Sequence, residues 1–294
     1  MAERPSIRAS IGRKPGGALL GVLPFFAYTT IFLLVPTFIV VVSAFLDGKS
    51  RPTLGNLAAL GQPQIVSAFM NSVLLSAVTA VLGAVFGALL AYAVSTARQS
   101  GPLRRMITSV CGVLAQFGGV TLAFAFGATV GLQGFLTLWL QKVGINLAGS
   151  TWLYEPNKGL MLVYTYFQIP LMLIVFLPAV EGLRPQWREA AESLGGSTWD
   201  YWRHVGGPIL APSFIGAMLL LFTNAFSAYA TAAALISQGS PIIPLQIGDT
   251  FSSEVILGQE NVGKAMALGM VAIVAVVMTL YVVLERRTSR WLAR

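Results

Sequence analysis

The chain has 294 residues, of which 55% are hydrophobic and only 10% charged, with a formal net charge of +8. Soluble domains carry about 25% charged residues, so this composition excludes an ordinary water-soluble globule and points to a polytopic membrane protein. Cys111 is the single cysteine, which excludes an internal disulfide, and the single histidine, His204, has no second His or Cys close to it in sequence to share a metal.

Six apolar stretches are long enough to cross about 30 Å of hydrocarbon as helices. Residues 1–16, basic and punctuated by Pro5, Pro15 and Gly16, read as a tail ahead of a membrane domain that takes 17–294. The first stretch, Leu19 to Leu46, exceeds the roughly 7–15 residues of a signal-peptide core and is expected to be a retained span. The second runs from Phe69 to Ala97. The third, which holds Cys111 and Gln116, runs from Met106 to Leu132. Phe135 to Leu140 is expected to form a short interfacial helix. The fourth stretch is Gly159 to Leu183, the fifth Pro208 to Ile236 and the sixth Gly263 to Leu284. Between the last two, residues 237–262 contain Pro241, Pro244 and an apolar run expected to fold against the bundle.

Gly17 and Gly21, Gly83 and Gly87, and Gly127 and Gly131 lie four apart, the spacing at which small residues let helix backbones touch in lipid. Pro24, Pro36, Pro170 and Pro178 are expected to kink their spans. Polar side chains inside the spans must face the bundle interior or a water-filled path, because hydrocarbon offers them no partner. Asn224, Ser227 and Thr231 fall on one helical stripe, and Tyr164 and Gln168 are four apart. Taken singly, each reads as an interhelical hydrogen bond of about 0.6 kcal/mol. Taken together, Gln116, Tyr164, Gln168, Asn224, Ser227 and Thr231 are the candidates for a translocation path. The spans hold almost no full charge, which disfavours a proton-driven carrier with a titratable relay. A G-x-x-x-x-G-K-[ST] phosphate loop is absent, as is any Ser/His/Asp set, so the chain reads as non-catalytic, with no cofactor of its own.

The polar segment 184–207 separates spans four and five. Gln186 to Leu194 is expected to be a short helix on which Ala190 and Ala191 leave the backbone open to close approach. Gly195 and Gly196 would end it in the left-handed region, and Ser197 with Asp200 three residues on would cap a second helix. Gly206-Gly207 is expected to break that helix, with Pro208 at the first position of the next. His204 reads as a solvated residue of this knob.

With six spans both termini share a face. One face carries Arg4, Arg8, Arg13, Lys14, Arg98, Arg104, Arg105, Arg184, Arg188, Arg203, Arg286, Arg287, Arg290 and Arg294, the other only Lys49, Arg51, Lys142, Lys158 and Lys264. The positive-inside rule makes the first face, with both termini and the knob, cytoplasmic. The net positive charge then meets lipid headgroups, and nothing indicates nucleic acid.

Glu189-Ala190-Ala191, three residues, Gly195, nine residues, Val205, one residue, Gly207 and Pro208 resemble the cytoplasmic "EAA" loop of permease subunits in binding-protein-dependent ABC importers. Gly207 departs from the family pattern, which has Leu there. The resemblance implies an all-α, type I ABC importer permease-like bundle in the bacterial cytoplasmic membrane. It also implies a second permease subunit, two cytoplasmic ATPase subunits that bind ATP and Mg, and an extracytoplasmic solute-binding protein. Glu189 would contact the ATPase, Ala190, Ala191 and Gly195 would permit the close fit, and Val205 and Pro208 would fix the return into span five. Tyr164-Thr165-Tyr166-Phe167-Gln168-Ile169-Pro170, the stretch from Asn224 to Thr231, and Gly258-Gln259-Glu260-Asn261 look like the spermidine/putrescine and aminophosphonate branch, with thiamine and ferric-iron importers as near relatives. That likeness implies a small polar organic cation such as a polyamine. The competing reading is an ATPase-independent secondary transporter or channel.

Overall fold

A computed structural model describes residues 15–97, 101–144, 153, 156–236, 241–252 and 260–292. The basic tail up to residue 14 and Gly258-Gln259 lie outside the described residues. Helices make up nearly everything described. Helix α1 (Pro15–Thr29) passes through a π turn at Thr30–Leu34 into α2 (Val35–Ala44). The wide turn sits just before Pro36, whose missing amide cannot close a normal helical bond. After the short α3 (Gly55–Ala59) comes α4 (Pro63–Thr96), 34 residues and about 51 Å long, more than the hydrocarbon thickness. It begins six residues before the apolar stretch, because Pro63 suits a first helical position and Gln64 and Ser67 are tolerated near a helix end.

Spans three and five are not the continuous helices expected. Met106 to Leu132 divides into α5 (Pro102–Gln116) and α6 (Gly119–Val130), followed by α7 (Phe135–Lys142) where the interfacial helix was expected. The break falls at Phe117-Gly118, with Gly119 at φ +66°, and α5, 15 residues long and carrying Arg104, Arg105, Thr108 and Ser109, is too short and too polar to count as an apolar span. The six helical stretches long and apolar enough to cross a membrane are 21–44, 63–96, 119–142, 158–181, 198–226 and 261–283. The fourth holds α8 (Met161–Glu181), which runs unbroken through Pro170 and Pro178 after a π turn at Pro156–Leu160. Next come α9 (Pro185–Ser193), α10 (Thr198–Tyr201), a π turn at Trp202–Gly206, and α11 (Gly207–Phe226). Span five then breaks at Ser227–Tyr229 before α12 (Ala230–Leu235). Helix α13 (Ile243–Ser252) folds back against α4, where Ser72 Oγ accepts the Ile243 amide and Asn71 donates to the Pro241 carbonyl, and α14 (Glu260–Leu292) closes the chain.

Helix α8 is the axis of the bundle. Its buried side chains recur at three- and four-residue intervals, from Val163 and Tyr164 through Phe167, Gln168, Met172 and Phe176 to Val180. Against it α4 presents a stripe of small residues, Ser76, Thr79, Ala80, Gly83, Ala84, Gly87 and Ala91. A Cβ on Gly83 would lie 2.6 Å from Gln168 Cβ, and one on Gly87 would lie 2.4 Å from Met172 Cβ. This glycine pair joins two helices of the same chain; Gly21 and Gly127 have open space instead. Two apolar layers result. Leu173, Phe176, Leu210, Leu221 and Cys111 fill the half nearer the knob, and Leu122, Tyr164, Ala225, Ala232 and Leu245 fill the other.

Candidate functional site

Helix α9 buries none of its residues. Pro185 opens it, and Arg188 Nε donates to Glu192 Oε1 at 2.9 Å one turn on, which raises the guanidinium pKa. The helix ends where the Gly195 amide reaches the Glu192 carbonyl and the Gly196 amide the Ala191 carbonyl, at 3.0 and 2.9 Å. Gly195 alone takes the left-handed conformation, φ +79°, while Gly196 does not. Ser197 and Asp200 form the reciprocal cap: the Asp200 amide donates to Ser197 Oγ, and Asp200 Oδ2 accepts the Ser197 amide. Glu189 and Ala190 are exposed and Ala191 half-buried; Leu194, 89% exposed, stands at the tip. His204 is exposed, its Nδ1 3.1 Å from the Asp200 carbonyl.

The exit from the knob differs from expectation. Gly206-Gly207 does not break the helix: residues 198–226 form one helical run in which the π turn widens the ladder just where Pro208 offers no amide. At Gly207 a Cβ would come 2.5 Å from the Trp202 carbonyl oxygen, so the larger residue of the family pattern does not fit this turn. Apolar anchorage comes instead from Trp202, whose ring meets Tyr92 of α4 edge-on at 5.2 Å. An apolar cavity of 530 Å³ lies beneath it, walled by Leu89, Phe176 and Phe214 among others. The composition of the segment shows an aromatic cluster, Trp199, Tyr201 and Trp202, but not which ring turns inward; Tyr201 is buried and Trp199 is 70% exposed. Val205 is half-buried and Pro208 exposed.

The six path candidates separate. Tyr164 and Gln168 are fully buried and Thr231 nearly so, whereas Gln116, Asn224 and Ser227 are exposed. The stripe Asn224–Ser227–Thr231 does not persist, because the chain leaves helical geometry after Ser227 and re-enters α12 with Thr231 turned inward. Gln168 Nε2 donates to Thr79 Oγ1 at 2.8 Å, and Thr79 donates to the Leu75 carbonyl at 2.8 Å, which ties α8 to α4. Tyr164 donates to the Ala228 carbonyl at 2.6 Å and so satisfies a group freed by the break in span five. Tyr164→Phe is therefore expected to cost about 1 kcal/mol in thermal unfolding of the solubilised chain; an unchanged midpoint counts against this role. The two breaks are neighbours: a Cβ on Gly119 would lie 3.6 Å from Ala230 Cβ. Beside them Ser227 and Tyr229 line an open cavity of 470 Å³ together with Ile247, Gly248 and Phe251.

The description "Binding-protein-dependent transport system inner membrane component" fits the family model that matches residues 132–291. The sulfate transport system permease protein CysT of Escherichia coli (strain K12) is 29% identical over 169 residues, 57% of this chain and 57% of its own length. The thiamine transport system permease protein ThiP of the same organism is 26% identical over 163 residues, 55% of this chain and 28% of its own length. Among solved structures, a bacterial ABC transporter involved in the import of the acidic polysaccharide alginate superposes with a TM-score of 0.73 at 16% identity, covering 94% of this chain and 96% of that one, which is agreement of fold. The chain belongs to the family of binding-protein-dependent transport system inner membrane components and is a multi-pass protein of the bacterial inner membrane.

Proposed function

We propose that this chain is the membrane-spanning permease subunit of an ATP-driven ABC importer, with its knob in the cytoplasm seated on a separate ATPase subunit. One observation carries the reading: the only polar helix between apolar spans four and five in the described residues is opened by Pro185 and closed by the backbone bonds of Gly195 and Gly196, yet buries none of its side chains. A structure so well determined and so little covered is suited to a partner, and Ala190, Leu194 and Trp199 offer that partner small and apolar contacts. Glu189, Ala191, Gly195, Val205 and Pro208 belong to the same docking unit. Gln116, Asn224 and Ser227 face out of the protomer, so a path along them closes only with a second permease subunit. ATP and Mg are bound by the ATPase, present in two copies, and a solute-binding protein delivers the cargo from outside. The exposed path residues are uncharged and select no cation by themselves. Relatives named for sulfate and thiamine do not support a polyamine, and we assign solute choice to the binding protein.

The test is accessibility. With Cys111→Ala as background, Leu194→Cys should react with a membrane-impermeant maleimide in inside-out but not right-side-out vesicles, and the co-purified ATPase should protect it. Labelling from outside, or an intact assembly without ATPase, refutes the proposal; the latter outcome is what a self-sufficient carrier or channel predicts.

A further inference from the structure

Whereas the pair Arg188–Glu192 lies within α9, an ion pair between Arg104 and Glu181 joins α5 to α8. Its setting is unusual. Arg104 sits in the first turn of α5 and Glu181 in the last turn of α8, so each charge stands at the helix end where the macrodipole disfavours it. Neither residue is there to stabilise its own helix; each is compensated by the other. The pair is partly shielded, with side-chain exposures of 16% and 30%. Helix α9 begins four residues after Glu181, the connecting amides of Gly182 and Leu183 bonding back to the carbonyls of Pro178 and Val180. Twelve residues beyond Arg104, about 18 Å along α5, stands Gln116 at the break before α6. Helix α5 is thus a rod packed along α8, tied by the ion pair to the end of α8 that leads into the docking helix and hinged at Phe117–Gly119 at its other end.

We infer that Arg104 and Glu181 are the coupling contact through which movement of the ATPase-docked helix α9 is passed along α5 to the path at Gln116. This rests on the permease reading above. When the ATPase shifts α9, Glu181 at its root moves with it. The charge pair pulls α5, and the glycine hinge lets Gln116 move without displacing α6.

The experiment uses the assembled complex in proteoliposomes with Cys111→Ala and Gln116→Cys, and reads the labelling rate with a water-soluble maleimide, nucleotide-free and with MgATP plus orthovanadate. With the pair intact the rate should change about tenfold between the two states. R104Q or E181Q should reduce that change to about twofold or less while the ATPase still co-purifies and the melting midpoint of the complex stays near that of the parent. The exchange R104E/E181R should restore the tenfold change. That exchange places each charge where its helix dipole favours it, so misfolding is not expected to obscure the result. An unchanged response in either single variant, failure of the exchange to restore it, or no nucleotide response with the pair intact overturns the inference. Absence of an ATPase from the complex overturns the permease reading instead.

Discussion

Glu189→Arg is expected to weaken binding of the cognate ATPase by about 30-fold or more, the loss of about 2 kcal/mol that marks a central interface residue. Glu189 is exposed on a helix that buries nothing, so reversing its charge leaves the fold of the knob intact and changes only what a partner meets. Gly195→Val should act on the same contact by another route. At φ +79° a β-branched residue costs on the order of 1–3 kcal/mol, enough to refold the turn between α9 and α10 and misplace the docking face. Titration of the purified ATPase onto the chain in nanodiscs measures both, with membrane yield as the control. Affinity unaffected by Glu189→Arg would remove the knob from the interface.

Gly87→Leu should prevent stable folding, whereas Gly127→Leu should change stability by no more than about 0.5 kcal/mol. The two glycines are alike in residue type, in spacing and in their apolar surroundings in the sequence. At Gly87 a Cβ would lie 2.4 Å from Met172 Cβ and 2.7 Å from the Ile169 carbonyl oxygen. Because Cβ is placed by the backbone, no rotamer relieves that clash, and α4 would have to separate from α8 along the whole seam that also holds Gly83 and the Thr79–Gln168 bond. Overpacking of this kind costs about 3 kcal/mol at least, a large part of the stability of most domains. At Gly127 nothing lies within 4 Å. Thermal unfolding of both variants in one detergent is the measurement, and equal loss in both would mean the α4–α8 seam is not the centre of the bundle.

Much of the candidate site is legible in the amino-acid sequence. The Ser197–Asp200 cap, the end of α9 at Gly195 and the solvated His204 follow from interactions that reach only three or four residues, and all three stand where local spacing puts them. Local spacing misleads at Gly206-Gly207, where two glycines suggest a stop. There the helix continues because the Trp202 carbonyl takes the space a Cβ would need and a π turn absorbs Pro208. The polar residues of the spans show the same limit. Asn224 and Gln168 look equivalent as amides in apolar helices, yet one is exposed and the other lies sealed against Thr79. Nothing local distinguishes them, since the difference depends on which face of α8 meets α4.

By itself the sequence determined that this is a multi-pass membrane protein with a capped polar knob between its fourth and fifth spans. Hydrocarbon thickness and helix capping act on contiguous residues, so composition and short spacings are enough to reveal them. Only the tertiary structure decided where spans three and five open, which glycines are close contacts, and that Arg104 and Glu181 meet. A backbone carbonyl can leave its helix inside a membrane only where another element supplies a partner. For Ala228 that partner is the Tyr164 hydroxyl, 64 residues away in the chain and 2.6 Å away in space.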